Sequence, residues 1–247
     1  MKRAGRILKD GYGKKQTISY KGAINLVTEM DHCAEAAVIE ILEKAFPDHG
    51  ILTEESKGRE GSGSYRWILD PLDGTTNYAH GYPFFCVSLA LEKDGHIIWG
   101  IIYDPLRDEL FEAAVGMGAM VNGKPLTVSN TRHIQQSFLC TGFPYDMRES
   151  REDNLRYFSR FAKTAQAIRR DGSAALDLCY VAMGRFDGFW EMKLNPWDVA
   201  AGGLIVTEAG GSVTDFSGGP FTIHGQEILA TNGRIHEEML KVLSKQR

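Results

Sequence analysis

Eleven residues, Arg66 to Thr76 (RWILDPLDGTT), constrain this chain more than any other stretch. Trp67-Ile68-Leu69 is an apolar run without alternation, the pattern of a strand buried on both faces. It ends in Asp70-Pro71-Leu72-Asp73-Gly74-Thr75-Thr76. Two carboxylates flank a proline, which denies the chain a regular strand there. Gly74 allows a tight turn and a close backbone approach. The amides of Gly74 and Thr75 can open a helix, and amides so placed cradle anions. One short turn thus offers hard oxygens to cations and backbone donors to a phosphate, the combination that magnesium sites use.

The rest of the chain has to build a frame around that turn. A length of 247 residues is enough for a sizeable core. The hydrophobic fraction of 43% and charged fraction of 24% are those of a globular protein. No apolar run reaches membrane-spanning length. The first residues, MKRAGRILKDGYGKK, lack the apolar core of a signal peptide and read as the tail end of a first helix. The expectation is a cytoplasmic protein without membrane partners. A net charge of -4, from 28 basic and 32 acidic residues, leaves no footprint for nucleic acid. Cys33, Cys86, Cys140 and Cys179 are widely spaced and form no CxxC pair, as expected of reduced, buried thiols.

In chain order, residues 25–47 read as a helix with a Thr28-x-x-Asp31 capping signal, stopped by Pro47. Residues 50–53 form a short strand that delivers Glu54 and Glu55 to its end. A polar, glycine-rich loop follows (SKGREGSGS). Strands are expected over 84–92, 97–103 and 107–114. Lys93-Asp94-Gly95-His96 and Val121-Asn122-Gly123-Lys124 supply turns. This half, about 1–135, reads as helices plus a largely antiparallel sheet. In the second half, about 136–247, strands alternate with helices: strand 137–141, helix 151–163, a turn at 169–172, a helix capped by Ser173 and running to Met183, strand 186–191, a helix opened by Pro196 and closed by Gly210-Gly211, strand 228–230 and helix 235–245. No linker separates the halves, so 1–247 is expected to pack as one domain.

Four carboxylates stand out by position: Glu54 at a strand end, Asp70 and Asp73 around the turn, and Asp198 in the first turn of a helix, where the dipole favours the ionised form. Each has a plain alternative: a solvated pair for Glu54 and Glu55, a helix-start residue for Asp198, a surface turn for Asp70–Asp73. Together they suit a site with several metal ions and a phosphate.

Five blocks in this order resemble the inositol monophosphatase family over nearly the whole chain: Asn25–Asp31, Glu54-Glu55-Ser56, Trp67–Asn77, Arg170–Ala175, and Trp197–Gly202 followed by Glu208-Ala209-Gly210-Gly211. The resemblance implies a layered α/β (α+β) sugar-phosphatase fold with alternating αβαβα layers. It implies a homodimeric, lithium-sensitive phosphomonoesterase using two or three Mg2+ ions. A first ion would take Glu54, Asp70 and the Leu72 carbonyl; a second, Asp70, Asp73 and Asp198; a third would sit near Glu54. Thr75, hydrogen-bonded towards Glu54, would help strip a proton from the attacking water. The amides of Gly74 and Thr75 would hold the phosphate, and Asp73, Gly172, Ser173, Ala174, Glu191 and Asp198 the rest of the substrate. Lys21 and Lys193 are weaker candidates. Asp31 either organises water beside the metals or caps its helix, and Arg170 structures a turn or a subunit contact. The implied substrate is a small phosphate ester, myo-inositol 1-phosphate or a similar polyol phosphate. Fructose 1,6-bisphosphate and histidinol phosphate are rivals. A silent regulatory or RNA-associated protein on the same scaffold is the alternative from another class.

Overall fold

The computed structural model describes residues 1–14, the main chain of 18–20, and residues 26–244. Lys21 and Asn25 lie outside them. The helices are α1 (Lys2–Gly11), α2 (Glu29–Ala45), α3 (Thr75–Ala79), α4 (Leu155–Ala162), α5 (Ala174–Ala182), α6 (Pro196–Glu208) and α7 (His236–Ser244). The strands are β1 (Ile18–Tyr20), β2 (Leu26–Thr28), β3 (Gly50–Thr53), β4 (Tyr65–Asp73), β5 (Cys86–Lys93), β6 (His96–Asp104), β7 (Glu109–Ala114), β8 (Ala119–Val121), β9 (Lys124–Pro125), β10 (Phe138–Thr141), β11 (Ala167–Arg169), β12 (Gly188–Met192), β13 (Ser212–Thr214) and β14 (Glu227–Thr231). Among the described residues no helix is long and apolar enough to cross a membrane.

Strands β3 to β9 form one sheet in sequence order, antiparallel except for the parallel β3–β4 pair. A second, mixed sheet has the order β11-β10-β12-β14-β13. The apolar run of β4 shows how the layers stack. Trp67 and Leu69 enter a core with Ala4 and Leu8 of α1 and Ala34, Val38 and Leu42 of α2. Ile68, pointing the other way, joins a core with Leu176 and Leu178 of α5 and Val199, Ala200 and Ile205 of α6. That core continues to Phe189, Ile228 and Ala230 of the second sheet. The far face of the second sheet carries Leu139, Trp190 and Leu229 against Phe161 of α4 and Met239, Val242 and Leu243 of α7. The order is helix pair, sheet, helix pair, sheet, helix pair: the expected αβαβα layering.

Small residues set the spacing of the central layer. A Cβ on Gly100 of β6 would lie 2.9 Å from the Cα of Ala201 in α6, and one on Gly202 would lie 2.6 Å from Leu178 Cδ1 in α5. Glycine at both places lets α6 settle onto the first sheet and against α5.

Several boundaries shift by a residue or two, and three differences from expectation have a clear local reason. The first long helix starts at Glu29, because the Thr28 cap is extended (φ -112, ψ 164) and residues 26–28 pair with β1 instead. Helix α4 starts at Leu155 and not at Arg151, because Asn154 is left-handed at φ 65. Strand β4 runs through Pro71 to Asp73, where the proline had argued for a break. It does so with an irregularity: Asp70 pairs with Ser88 and Asp73 with Cys86, three steps on one strand against two on the other. Both hairpin turns take the expected form, with Asp94-Gly95 and Asn122-Gly123 all at positive φ.

Candidate metal and phosphate site

In a regular strand, residues three apart point to opposite faces. The extra residue in β4 is a β-bulge, and it places two consecutive residues, Pro71 and Leu72, opposite one partner step. Proline costs no ladder bond there. Leu72 turns into the core beneath α1 and α2, while Asp70 and Asp73 emerge together on the side of α5 and α6. Gly74 follows at φ 97 and caps α3; a Cβ there would lie 2.9 Å from the Phe84 carbonyl oxygen. Asp198 arrives from the first turn of α6, whose start is fixed by Pro196 and by Asp198 itself, Oδ2 accepting the Asn195 amide at 2.7 Å. Ligand oxygens of Asp70, Asp73 and Asp198 lie within 4.8 Å of one another.

Each carboxylate is anchored through one oxygen. Asp70 Oδ1 accepts the Leu72 amide at 2.9 Å. Asp73 Oδ2 accepts the Ser173 hydroxyl and the Ala175 amide, both at 2.7 Å. Among the described residues no hydrogen bond takes the remaining oxygens, and no lysine or arginine pairs with the three groups. Burial, followed by the charges of Glu54, Asp73 and Asp198, drives the Asp70 carboxyl well above its ordinary range. Burial and Asp73 do the same to Asp198, and burial lifts Asp73 to about 6. Acidic groups packed so closely without a countercharge fit a divalent cation. Oxygens on opposite sides of one Mg2+ lie about 4 Å apart, which this cluster can meet. Glu54 borders the same cleft and raises Asp70 electrostatically.

The cleft is also lined by Gly74, Thr75, Arg170, Gly172, Ser173, Ala174, Glu191 and Lys193, so it gathers the sequence candidates from five separate segments. Several make contacts other than those expected. The Thr75 hydroxyl is directed to Asp31 Oδ1 at 3.0 Å and the Leu72 carbonyl at 2.9 Å, where Glu54 had been expected as partner. The reason is the capping box of α2: Asp31 Oδ2 accepts the Thr28 amide and hydroxyl, which aims Oδ1 at Thr75. Asp31 therefore both caps its helix and reaches the site. Its burial raises the carboxyl above the usual range. The Ser173 hydroxyl is committed to Asp73, so it positions that carboxylate while capping α5. Lys193 Nζ bonds Asp146 Oδ2 and Ser150 Oγ, both at 2.8 Å, tying the segment after β10 to the rim. Glu191 is 7% exposed and is pushed up to about 8, first by burial, with Arg170 opposing and Asp73 reinforcing.

One cleft carboxylate escaped the sequence reading, as did the loop Gly142–Tyr145 and Met192 at its rim. Asp177 lines the cleft from α5. The available signal was a carboxylate inside a helix whose nine residues, Ala174–Ala182, have no polar face and are all buried.

The model of the Inositol monophosphatase family matches residues 1–247. The chain belongs to that family. An inositol-1-monophosphatase from Synechocystis is 47% identical over 94% of this chain and 82% of its own length. The Nus factor SuhB of Pasteurella multocida is 42% identical over 97% of this chain and 91% of its own. The crystal structure of the extragenic suppressor protein suhB from Bartonella henselae superposes with a TM-score of 0.93 at 42% identity, covering 100% of this chain and 96% of that one. Family membership makes the chain a phosphatase by descent, with the acidic cluster as its candidate metal centre.

Proposed function

We propose that this chain is a magnesium-dependent phosphomonoesterase acting on myo-inositol 1-phosphate or a related polyol phosphate. The observation that carries the reading is the meeting of Asp70, Asp73 and Asp198, brought from a bulged strand and a capped helix more than a hundred residues apart in sequence, at one cleft with unsatisfied oxygens. These three, with Glu54 and the Leu72 carbonyl, would hold two or three Mg2+ ions. The ions would supply an acidified water and positive charge for the phosphate and leaving oxygens.

The protein's own groups do the rest. The amides of Gly74 and Thr75 hold the phosphate. The Thr75 hydroxyl orients the attacking water and passes its proton to Asp31, whose burial makes it a stronger base than a surface aspartate. Glu191 accepts a hydroxyl of the alcohol, beside Gly172 and Ala174. Lithium inhibition, a homodimer and a cytoplasmic location belong to the same proposal.

The test is phosphate release with Mg2+ from a panel of esters: myo-inositol 1-phosphate, fructose 1,6-bisphosphate and histidinol phosphate. The reading expects the highest kcat/KM on the inositol ester; no release from any of them would overturn it. A second reading rests on the relatives named Nus factor SuhB, namely a regulatory, RNA-associated role on this scaffold. It expects such a role to survive Asp70→Asn, which the phosphatase activity would not.

A further inference from the structure

Nine carboxylates are buried among the described residues: Asp31, Glu35, Asp70, Asp73, Glu92, Asp104, Asp177, Asp187 and Glu191. Buried polar groups in native proteins are nearly always hydrogen-bonded, and an exception calls for a reason. Seven of the nine comply. Asp31 is held by Thr28, Glu35 by Thr53, Asp70 by the Leu72 amide and Asp73 by Ser173. Glu92 takes Arg66, Asp104 the Leu106 amide and Arg107, and Asp187 takes Ser129 and the Phe138 amide. Asp177 and Glu191 have no hydrogen bond among the described residues, and Asp177 Oδ1 is fully enclosed. Both border the candidate site, from α5 and β12.

The two exceptions line the same cleft, and the charge of one acts on the other. After burial itself, the charges that act most on the Asp177 carboxyl are those of Asp171 and Glu191, ahead of Asp73, and Arg170 opposes them. Asp177 therefore belongs to the Glu191 and Arg170 end of the cleft. It does not belong to the cluster of Asp70, Asp73 and Asp198, whose oxygens converge without it. It is 1% exposed, so bulk water does not satisfy it. The cleft that it lines is where a ligand group can reach it. Two carboxyl groups lining one small cleft can match two hydroxyls on adjacent carbons of one ligand, since a hydroxyl offers a donor to an acceptor oxygen and accepts in turn.

We propose that Asp177 is a second hydroxyl-binding residue of this cleft, which with Glu191 reads adjacent hydroxyls on the alcohol half of the phosphate ester. The proposal rests on the phosphatase reading and narrows its substrate class to vicinal polyol monophosphates. A site built to hydrogen-bond hydroxyls discriminates against analogues that lack them, because its buried groups are then left unpaired. Burial raises the Asp177 carboxyl well above its ordinary range, and the neutral form both donates and accepts.

The experiment compares kcat/KM on myo-inositol 1-phosphate with that on 4-nitrophenyl phosphate, which carries no hydroxyl, for the native chain, Asp177→Ala and Asp177→Leu. The native chain is expected to prefer the polyol ester. Asp177→Ala is expected to lower the ratio of the two kcat/KM values by about tenfold or more, mainly through KM. The similarly shaped Asp177→Leu keeps the volume within α5 if alanine does not fold, offers neither donor nor acceptor, and is expected to lower the ratio in the same sense. An unchanged ratio in a folded variant overturns the proposal, whether both activities persist or both fall together. Turnover of 4-nitrophenyl phosphate by the native chain without preference for the polyol also overturns it, while leaving the phosphatase reading intact. No turnover of either ester removes both.

Discussion

Asp70 is the residue on which the site turns, because it is the most enclosed member of the acidic cluster and is influenced by all the others. Asp70→Asn should keep the fold, since the amide can still accept from the Leu72 backbone, and should lower kcat by more than about a hundredfold, the upper range for losing a mere outer partner of a metal ligand. Phosphate release and thermal unfolding, measured side by side, check both halves of that expectation. At the capping box of α2, Thr28→Ala and Asp31→Ala separate capping from chemistry. Both remove the capping box of α2 and should cost about 1 kcal/mol in chemical unfolding. Only Asp31→Ala leaves Thr75 without its carboxylate and should reduce turnover as well. Glu191 gives a pH signature. Its carboxyl titrates at about 8 in the fold against an ordinary 4.5, so the folded state holds the proton more tightly than the unfolded chain. The stability this adds is complete below the ordinary value and is lost as pH rises through about 8. Between about pH 6 and about pH 9 the metal-free protein should therefore lose more Tm than Glu191→Gln does.

Elements explain why some of this was visible in the sequence and some was not. The apolar run before Asp70 announced a strand buried on both faces, and β4 does divide its side chains between two cores. The capping signals at Thr28, Ser173 and Pro196 announced helix starts, because a cap is a local contract between residues three or four apart. The bulge at Pro71 was less legible. Proline indicated an irregularity, but only pairing with β5 decides that the strand continues and that both aspartates share a face. The Thr75 partner was illegible for the same reason, since it is set by where α2 packs beside β4. The short strands β2, β11 and β13 exist through their neighbours and carry little signal of their own. Gly100 tests the packing that places α6. Gly100→Ala would drive a methyl to 2.9 Å from the Ala201 Cα, a backbone atom that cannot swing aside. It should cost about 1–3 kcal/mol in urea unfolding. It should also weaken Mg2+-dependent activity, because α6 carries Asp198.

At the scale of the whole molecule, the layered fold brings together segments from its two halves that are far apart in sequence. Asp70 and Asp73 come from the first sheet, Asp198 and Asp177 from the helix layer between the sheets, and Glu191 from the second sheet. The central core runs without interruption from one sheet to the other, so the cleft is a seam within continuous packing. Such a seam can hold uncompensated acidic groups only at a cost in stability, and cations would relieve it. The central claim is that the oxygens of Asp70, Asp73 and Asp198 form a divalent-cation site. Its most direct test is anomalous diffraction from crystals soaked in Mn2+ with inorganic phosphate. The account predicts manganese peaks among these three carboxylates, with phosphate beside Gly74 and Thr75. A cluster that stays free of metal while manganese binds elsewhere on the protein would contradict it.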